Sequence, residues 1–475
     1  MYLPFRLLAA SAFGLIVLTG CSSDQSNTMM TTMPAPVAPA PVTPAPVAPA
    51  PVAPAPVTPP PVTPAPQANA GCVGAIQTGA SAFTDYTRQS PGVCRTLTPA
   101  DMPAPNLPSS VTNNSTLVPR ANNQLPQVPA GFTVQLYATG LNNPRLLATA
   151  PNGDIFVAQP GANSVVVLRG AGSNGMAQTT TTFASGLNAP FGIVFYPAGD
   201  SPQYVYIANV DSVVRFPYQN GDTTARGAAQ VIVPSLPGGG HGTRTLSFTA
   251  DNRLLVSVGS ANNLTNTDTD KSETNRADVL AFTPEGTFLK IYASGLRNAV
   301  GLSVDSTGIA WVSVNERDGL GDNLPPDYVT HLVEDGFYGW PWYYIGANPD
   351  PRLPLNHPEL AQKTIVPDTL LQPHFAPLQI AFYTGTQFPA IYNGDVFVAS
   401  HGSWNKSVRG GYELLRVLLQ NGKATEVYED FMTGFVNTDG TVWGRPVGVT
   451  MGTDGSLFVS DDASNSVWRI MYTGA

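Results

Sequence analysis

A six-residue phrase recurs along this chain and constrains its fold more than any other feature. It reads Gly-Leu-Asn-Asn-Pro-Arg at 140–145, Gly-Leu-Asn-Ala-Pro-Phe at 186–191, Gly-Gly-His-Gly-Thr-Arg at 239–244 and Gly-Leu-Arg-Asn-Ala-Val at 295–300, with a fainter copy, Val-Trp-Gly-Arg-Pro-Val, at 442–447. Such recurrence is typical of architectures in which one supersecondary unit is repeated. The chain is therefore predicted to be built from repeats.

Each copy is followed by a short apolar stretch, a tight turn and a second apolar stretch. The turns include Asn-Gly at 152–153, Asp-Asn at 251–252 and Asp-Gly at 454–455, pairs that tolerate the positive φ of hairpins. Six such units begin near residues 140, 186, 239, 295, 376 and 442. Repeated four-stranded units of this size predict an all-β fold, a six-bladed β-propeller. A β-sandwich is the alternative, but it does not explain the recurring phrase.

One column of the phrase changes from copy to copy. It reads Asn142, Asn188, His241, Arg297 and, one place along, Arg445. The first strand of each propeller blade lines the central channel, so these side chains are predicted to converge at the channel mouth. A histidine beside fixed positive charge suits a general base, and arginines suit carboxylates and developing oxyanions. The column therefore predicts a site for an anionic ligand, with ordinary polar lining as the alternative.

A neighbouring column and several isolated residues allow structural interpretations. Arg145 and Arg244 share the next column, where either could be the partner of a turn. His401 lies in a Gly-Ser-Trp turn and could approach the site. The other histidines are predicted to be structural or exposed: His331, His357 and His374. The pair Asp461-Asp462 resembles a blade-closing turn rather than a catalytic pair.

The N-terminus carries an export signal. Arg6 is followed by an apolar run, 7–18, that is too short to span a bilayer comfortably. The run ends in Leu-Thr-Gly-Cys, which resembles a bacterial lipobox with Cys21 as the lipidated residue. A plain secretory signal is the alternative. We expect residues 1–20 to be a lipoprotein signal peptide and the protein to be exported and lipid-anchored at a membrane, facing the periplasm or the cell exterior.

Three further segments follow the signal. Residues 21–67 form a linker rich in proline, alanine, valine and threonine, which is predicted to be an extended polyproline spacer between membrane and folded part. A ligand for proline-binding modules is the alternative. Residues 68–130 are predicted to be an extension packed against the main domain, and residues 131–475 to be the propeller.

Cysteine usage and net charge limit the chemistry further. Cys72 and Cys94 remain after Cys21, and in an exported protein they are predicted to form a disulfide, with two unpaired thiols as the alternative. The formal net charge of −9, without a basic cluster, argues against nucleic acid as a partner. Cations gathered at the channel of an acidic protein again indicate an anionic ligand.

Several longer motifs occur in order along the chain. They are His241-Gly-Thr-Arg-Thr-Leu, Gly295-Leu-Arg-Asn, Asn315-Glu-Arg-Asp-Gly-Leu-Gly-Asp-Asn-Leu-Pro-Pro-Asp327, Tyr338-Gly-Trp-Pro341, His401-Gly-Ser-Trp-Asn-Lys406 and Trp443-Gly-Arg-Pro446. Together they resemble the pyrroloquinoline quinone (PQQ)-dependent sugar dehydrogenases, and within these the sorbosone or pyranose dehydrogenase branch. The resemblance covers about residues 130–475.

The resemblance implies a six-bladed propeller that holds PQQ and Ca²⁺ at the top of the channel. It implies that His241 takes the proton of a sugar hydroxyl while hydride passes to the quinone. Arg297 then stabilises the developing negative charge, with Asn298 beside it. Arg445 and Lys406 are the implied ligands of cofactor carboxylates. These assignments agree with the base and cations of the variable column.

The implied calcium site departs from the family pattern. Soluble glucose-oxidising relatives use the backbone carbonyls of a Gly-Pro pair, which is absent from residues 319–323 here. The carbonyls of Gly321 and Asp322 are the candidates, because Ca²⁺ prefers oxygen ligands on a bent loop. Turn capping is the alternative for Asp322 and its neighbouring aspartates. Those relatives also have two arginines where this chain has Trp443 and Arg445.

The expected function is therefore the oxidation of a small-molecule sugar. The chain has no Cys-x-x-Cys-His haem motif, so the electrons are expected to pass to an external acceptor. One alternative is a calcium-dependent lactonase propeller, which requires several carboxylates and amides at the channel axis. The other is a non-catalytic ligand-binding propeller, which would keep the packing motifs and lose the histidine and arginine of the column.

Overall fold

The computed structural model describes residues 71–72 and 74–474. The predicted signal peptide, the lipidation site Cys21 and the predicted linker (21–67) lie outside the described residues, and the predicted segment boundaries stay predictions. Among the residues described, no helix is long and apolar enough to cross a membrane.

Six sheets of four or five strands confirm the predicted six-bladed β-propeller. Blade 1 consists of Leu147–Thr149, Ile155–Gln159, Ser164–Arg169 and Thr179–Ala184. Blade 2 consists of Ile193–Tyr196, Tyr204–Ala208, Val213–Pro217 and Gln230–Val233. Blade 3 consists of Leu246–Phe248, Leu254–Val258, Asp278–Phe282 and Phe288–Ser294, with Gly336–Phe337 added in parallel at its edge.

The remaining blades include two strands from the N-terminal part of the chain. Blade 4 consists of Asn298–Val304, Ala310–Asn315, Tyr328–His331 and Thr369–Leu370. Blade 5 consists of Pro377–Phe382, Val396–Ser400, Glu413–Gln420 and Lys423–Met432, followed by Cys94–Thr96. Blade 6 consists of Pro446–Met451, Leu457–Asp461 and Ser466–Tyr472, and is completed by Phe132–Ala138. The chain therefore closes its ring by pairing the first propeller strand with the last.

Short elements lie in loops within the blades and in the N-terminal extension. Tyr343–Tyr344 and Asn348–Pro349 form a separate two-stranded sheet. The described residues also contain short 3₁₀ helices: Gly79–Ser81, Pro99–Asp101, Leu107–Ser109, Pro160–Ala162, Lys271–Glu273, Pro358–Leu360 and Ala390–Tyr392. Loops of this kind carry the residues of the site.

The middle strands of the blades are buried on both faces, because each blade is packed between two neighbours. Ile155–Gln159 is buried at every position, as are Leu254–Val258 and Val396–Ser400. This packing explains why these strands are apolar runs rather than alternating patterns. Hydrophobic burial between neighbouring blades therefore stabilises the ring.

Glycines hold the inner strands close together just below the channel mouth. A Cβ on Gly192 would lie 2.7 Å from the carbonyl oxygen of Arg244, and one on Gly448 would lie 2.5 Å from that of Arg145. Each glycine thus faces the backbone of a neighbouring blade at a distance that no other residue allows. The backbones of neighbouring inner strands therefore lie in direct contact at these positions.

The N-terminal extension is attached to blade 5. Cys94–Thr96 pairs antiparallel with Lys423–Met432, and Cys94 forms the predicted disulfide with Cys72. On the same strand, the Arg95 guanidinium lies 2.9 Å from the Asp430 carboxylate, and both side chains are buried. The extension is therefore part of the folded unit.

Candidate active site

The channel mouth contains a cavity of about 300 Å³. Three predicted site residues, His241, Arg297 and Asn298, line it together. They come from the start of blade 3 and the start of blade 4. The asparagines of the variable column, Asn142 and Asn188, are not among its lining residues. The structure thus brings the predicted base and its neighbouring cation into one cavity.

A larger cavity, of about 510 Å³, lies further along the same inner strands. Its walls come from residues such as Thr149, Leu246 and Met451, and its lining contains one carboxylate, Asp305, but no histidine, arginine or lysine. The pKa of Asp305 is lowered from its ordinary value, so this carboxylate is a weak general base. The lining contains no cation that could bind an anionic cofactor. The smaller cavity is therefore the candidate active site.

The surroundings of His241 fix both its tautomer and its protonation state. Its Nδ1 lies 2.8 Å from the backbone oxygen of Ser260 and 3.0 Å from Oγ of the same residue. A carbonyl oxygen only accepts, so Nδ1 carries the proton and Nε2 keeps a free lone pair. Burial, followed by the charge of Arg297, lowers the pKa of His241 to about 4. The imidazole is therefore a neutral proton acceptor at physiological pH.

The loop that carries His241 is positioned by Arg244. Its Nη1 donates to the carbonyl of His241 at 2.7 Å, and its Nη2 donates to the carbonyl of Pro237 at 2.5 Å. Arg244 is fully buried. Arg244 therefore stabilises the turn that carries His241, which is the structural role that the sequence allowed for this residue.

Arg297 is buried and fixed by acceptors on three sides. It donates to the carbonyl of Glu316 (2.7 Å), to Asn263 Oδ1 (2.8 Å) and to Asp318 Oδ2 (3.2 Å). Burial lowers the pKa of Arg297, and Asp318 opposes this change. The neighbouring Asn298 leaves its Oδ1 buried without a hydrogen-bond partner among the described residues. The wall therefore combines an immobile cation with an unused acceptor.

A second cationic cluster surrounds Asp462. This carboxylate lies 2.6 Å from Arg145 Nη1, 2.9 Å from Arg445 Nε and 3.0 Å from His401 Nε2. Arg145 and His401 line the main cavity. The two guanidinium groups outnumber the single carboxylate, so the cluster keeps a surplus positive charge. Nε of Arg145 is buried without a partner among the described residues.

The loop predicted to bind calcium is occupied by protein donors. His374 Nε2 donates to the carbonyl of Gly321 at 2.9 Å, and Lys406 Nζ donates to the carbonyl of Asp322 at 2.9 Å. Lys406 also contacts Asn323 Oδ1 at 2.8 Å, and burial lowers the pKa of Lys406 to about 8. Lys406 does not line the main cavity. Within the described residues, no three His, Cys, Asp or Glu side chains are grouped to hold a metal ion.

Sequence reasoning missed several residues of the site. Asp462, predicted to be part of a turn, joins the arginine cluster, whereas its neighbour Asp461 caps the turn through the backbone of Ala463 and Ser464. His374, predicted to be structural or exposed, is buried and lines the cavity. No local spacing marks either role, since the partners of both residues belong to other blades or loops.

Fold and site together define a class: a six-bladed propeller with a neutral histidine beside a buried arginine at its channel mouth. The chain belongs to the TrAA12-like family, whose model it matches over residues 126–328 and 354–473. The resemblance expected from the ordered motifs is confirmed by this match. The extension before residue 126 and residues 329–353 lie outside the matched ranges.

Individual proteins are also similar to this chain. The chain is 28% identical over 361 residues to an uncharacterized protein of Borreliella burgdorferi, covering 73% of this chain and 90% of that one. It is 24% identical over 405 residues to the pyrroloquinoline quinone-dependent pyranose dehydrogenase of Coprinopsis cinerea, covering 72% of this chain and 54% of that one. The solved holo form of the PQQ domain of pyranose dehydrogenase from C. cinerea superimposes with a TM-score of 0.64 at 22% identity, covering 75% of this chain and all of that one. This last likeness supports the fold.

Proposed function

We propose that this protein is a PQQ-dependent oxidoreductase that oxidises a sugar, an aldose, pyranose or sorbosone-like sugar, and passes the electrons to an external acceptor. One observation carries the proposal: His241 is fixed as a neutral base beside the buried Arg297 in the channel cavity. Membership of the TrAA12-like family supports it, as does the activity named for the C. cinerea relative.

The residues present fit a polycarboxylate cofactor. The unused Oδ1 of Asn298 and the unused Nε of Arg145 are buried polar atoms that a bound group would satisfy. Arg145 lines the cavity and is suited to hold a cofactor carboxylate. The predicted ligand Arg445 is not among the lining residues, but it contacts the same Asp462 and adds positive charge there. Arg145 thus offers the second arginine that the sequence pattern lacks beside Arg445. Lys406 reaches the cofactor only by giving up its bonds to the loop at 322–323.

Two residues of the cavity, His241 and Arg297, have distinct parts in the proposed reaction. PQQ, when bound, supplies an acceptor for the hydride of the sugar carbon. Nε2 of His241 accepts the proton of the sugar hydroxyl, because Nδ1 is committed to Ser260. Arg297 places a fixed positive charge where negative charge develops. All five of its N–H groups donate to protein acceptors, so the guanidinium group does not have to move during the reaction. Burial of both groups keeps bulk water from screening this charge.

Calcium does not fit the arrangement at residues 319–323. The carbonyls of Gly321 and Asp322 already accept hydrogen bonds from His374 and Lys406. An ammonium group at this position repels a divalent cation. We therefore assign no catalytic step to Ca²⁺, and the test of function is made with and without it.

The place of action belongs to the same proposal. We infer an exported, lipid-anchored protein on the basis of the lipobox at Cys21 and the proline-rich linker that follows it. The disulfide between Cys72 and Cys94 agrees with an oxidising compartment. A sugar and a separate electron acceptor are the partners that such a location makes available.

Reconstitution tests the function directly. Purified protein is mixed with PQQ, with and without Ca²⁺, and sugars are supplied with an artificial electron acceptor. We expect acceptor reduction that requires both the quinone and the sugar. Failure to bind PQQ contradicts the proposal. Hydrolysis of a lactone without the quinone supports the lactonase alternative, and sugar binding without turnover supports the non-catalytic one.

Replacing Arg145 with alanine is expected to weaken PQQ binding about tenfold, because a charge-assisted contact to a carboxylate is lost. Arg445→Ala is expected to act similarly, since the two side chains share Asp462. The dissociation constant is measured by titration of the cofactor-free protein. Arg169→Ala is the matched control, because Arg169 forms an ion pair with Asp154 in blade 1 away from the cavity. Equal affinities in all three variants would contradict this assignment.

A further inference from the structure

A segment of the N-terminal extension, residues 106–114, crosses the rim of the site. The backbone N–H of Asn106 donates to the carbonyl of Leu320 at 2.8 Å, and the backbone N–H of Asn113 donates to the carbonyl of Trp404 at 2.6 Å. The segment is thus fastened near both ends to the two loops that border the site. It lies outside the residues matched by the family model, so it is a feature of this chain beyond the shared propeller.

Between these attachments the segment forms one wall of a second cavity, with a volume of about 180 Å³. This wall consists of Ser110, Val111 and Thr112. Four other lining residues are shared with the main cavity: Asp318, His374, Trp404 and Asn405. The two cavities are therefore neighbours. At ~30 Å³ per water molecule, the second one has room for about six waters, so it can hold only a small ligand group.

The walls of the second cavity have the chemistry of a carbohydrate site. The indole of Trp404 is 47% exposed and offers a flat apolar face on which the C–H face of a sugar ring can stack. The hydroxyls of Ser110 and Thr112 have no partner among the hydrogen bonds of the described residues, so they are available to sugar hydroxyls. The extension contributes no charged side chain to this wall, and the carboxylate of the lining, Asp318, is paired with Arg297. A neutral polyol therefore suits it better than a second ionic ligand.

We propose that the second cavity binds the next sugar unit of the substrate, so that the preferred substrate contains at least two linked sugars. The inference rests on the proposed function, because it takes the main cavity as the place where the first unit is oxidised. The extension then acts as the specificity element. Its segment 110–112 adds a subsite to a site that the propeller alone leaves open on this side.

The test compares two substrates of the reconstituted protein: a monosaccharide and a disaccharide that carries the same unit at its reducing end. Thr112→Trp fills the second cavity with an indole. It is expected to lower kcat/KM for the disaccharide at least about tenfold and to change kcat/KM for the monosaccharide less than about twofold. Ser110→Trp is a second variant on the same wall. Thr116→Trp, at an exposed position two residues beyond this segment, is the matched control and is expected to change neither value.

Binding separates this inference from the proposed function. A disaccharide methyl glycoside, which cannot be oxidised at its blocked carbon, is titrated calorimetrically into the cofactor-free protein. Weaker binding to Thr112→Trp than to Thr116→Trp supports the subsite even if no sugar is oxidised. The subsite is excluded if the two variants bind the glycoside equally. It is also excluded if Thr112→Trp affects both substrates to the same extent.

Discussion

Replacing His241 with glutamine is expected to lower kcat about a thousandfold, since a positioned general base contributes roughly 10²- to 10⁴-fold. Glutamine retains a polar side chain of similar size, but it has no atom that accepts the proton. Affinity for PQQ should change little, because the proposed carboxylate ligands are Arg145 and Arg445. Steady-state kinetics of the reconstituted variant, with its PQQ dissociation constant, measure both quantities.

His331→Gln provides the matched control. His331 lies in blade 4, where its Nδ1 is 2.6 Å from Asp368, and it does not line the cavity. This variant should keep the kcat of the unmodified protein. Full activity in His241→Gln, or an equal loss in both variants, would show that His241 is not the base.

The pH profile gives an independent check of the same residue. Burial and Arg297 lower the pKa of His241 to about 4, so the neutral form, which is the active one, persists well below neutral pH. On this basis kcat/KM should stay level down to about pH 5 and fall only below it, whereas an ordinary histidine loses activity near ~6.5. A fall centred near the ordinary value would contradict this environment for His241.

Replacing Arg95 with methionine is expected to lower the free energy of unfolding by about 3 to 5 kcal/mol. Arg95 is 3% exposed and faces the buried carboxylate of Asp430 across two hydrogen bonds, of 2.9 and 3.2 Å. Burial raises the pKa of Asp430 even with this partner present, and Glu413 is buried in the same region. Methionine fills similar space but leaves these acids without their cation. Chemical denaturation measures the loss.

Arg88→Met is the control for this substitution. Arg88 lies in the same extension, but it is 67% exposed and 3.5 Å from Asp85. Exposed pairs of this kind contribute little, so the loss should remain below about 1 kcal/mol. An equal loss in the two variants would indicate a general effect on the extension. Unchanged stability of Arg95→Met would mean that the extension is not held by this ion pair.

The propeller was predictable because the turn residues and strand patterns that specify it are local and are repeated along the chain. The expected hairpin turns occur where Asn-Gly, Asp-Asn and Asp-Gly pairs stand, and their positive φ angles fall on Gly153, Asn252 and Gly455. Such residues fix a turn without help from the rest of the chain. The disulfide between Cys72 and Cys94 followed from composition and the export signal. The attachment of the extension to blade 5 had no comparable signal.

The site was predictable only in part. His241, Arg297 and Asn298 meet in one cavity because each stands at or just before the first strand of a blade. The same reasoning failed to separate Arg145 from Arg244, which share a column. Arg145 faces Asp462 of blade 6, whereas Arg244 turns to the carbonyls of its own loop.

By itself, the sequence determined the repeat, the six blades and the column in which His241 and Arg297 stand. These depend on strand periodicity and turn residues, which act over a few neighbouring positions. Only the tertiary structure decided which partner each charged group finds. Asp462 meets Arg145 across 317 residues of chain, and Lys406 bonds to the carbonyl of Asp322 across 84. Such contacts depend on how loops from different blades pack at the channel mouth, and no local pattern encodes that packing.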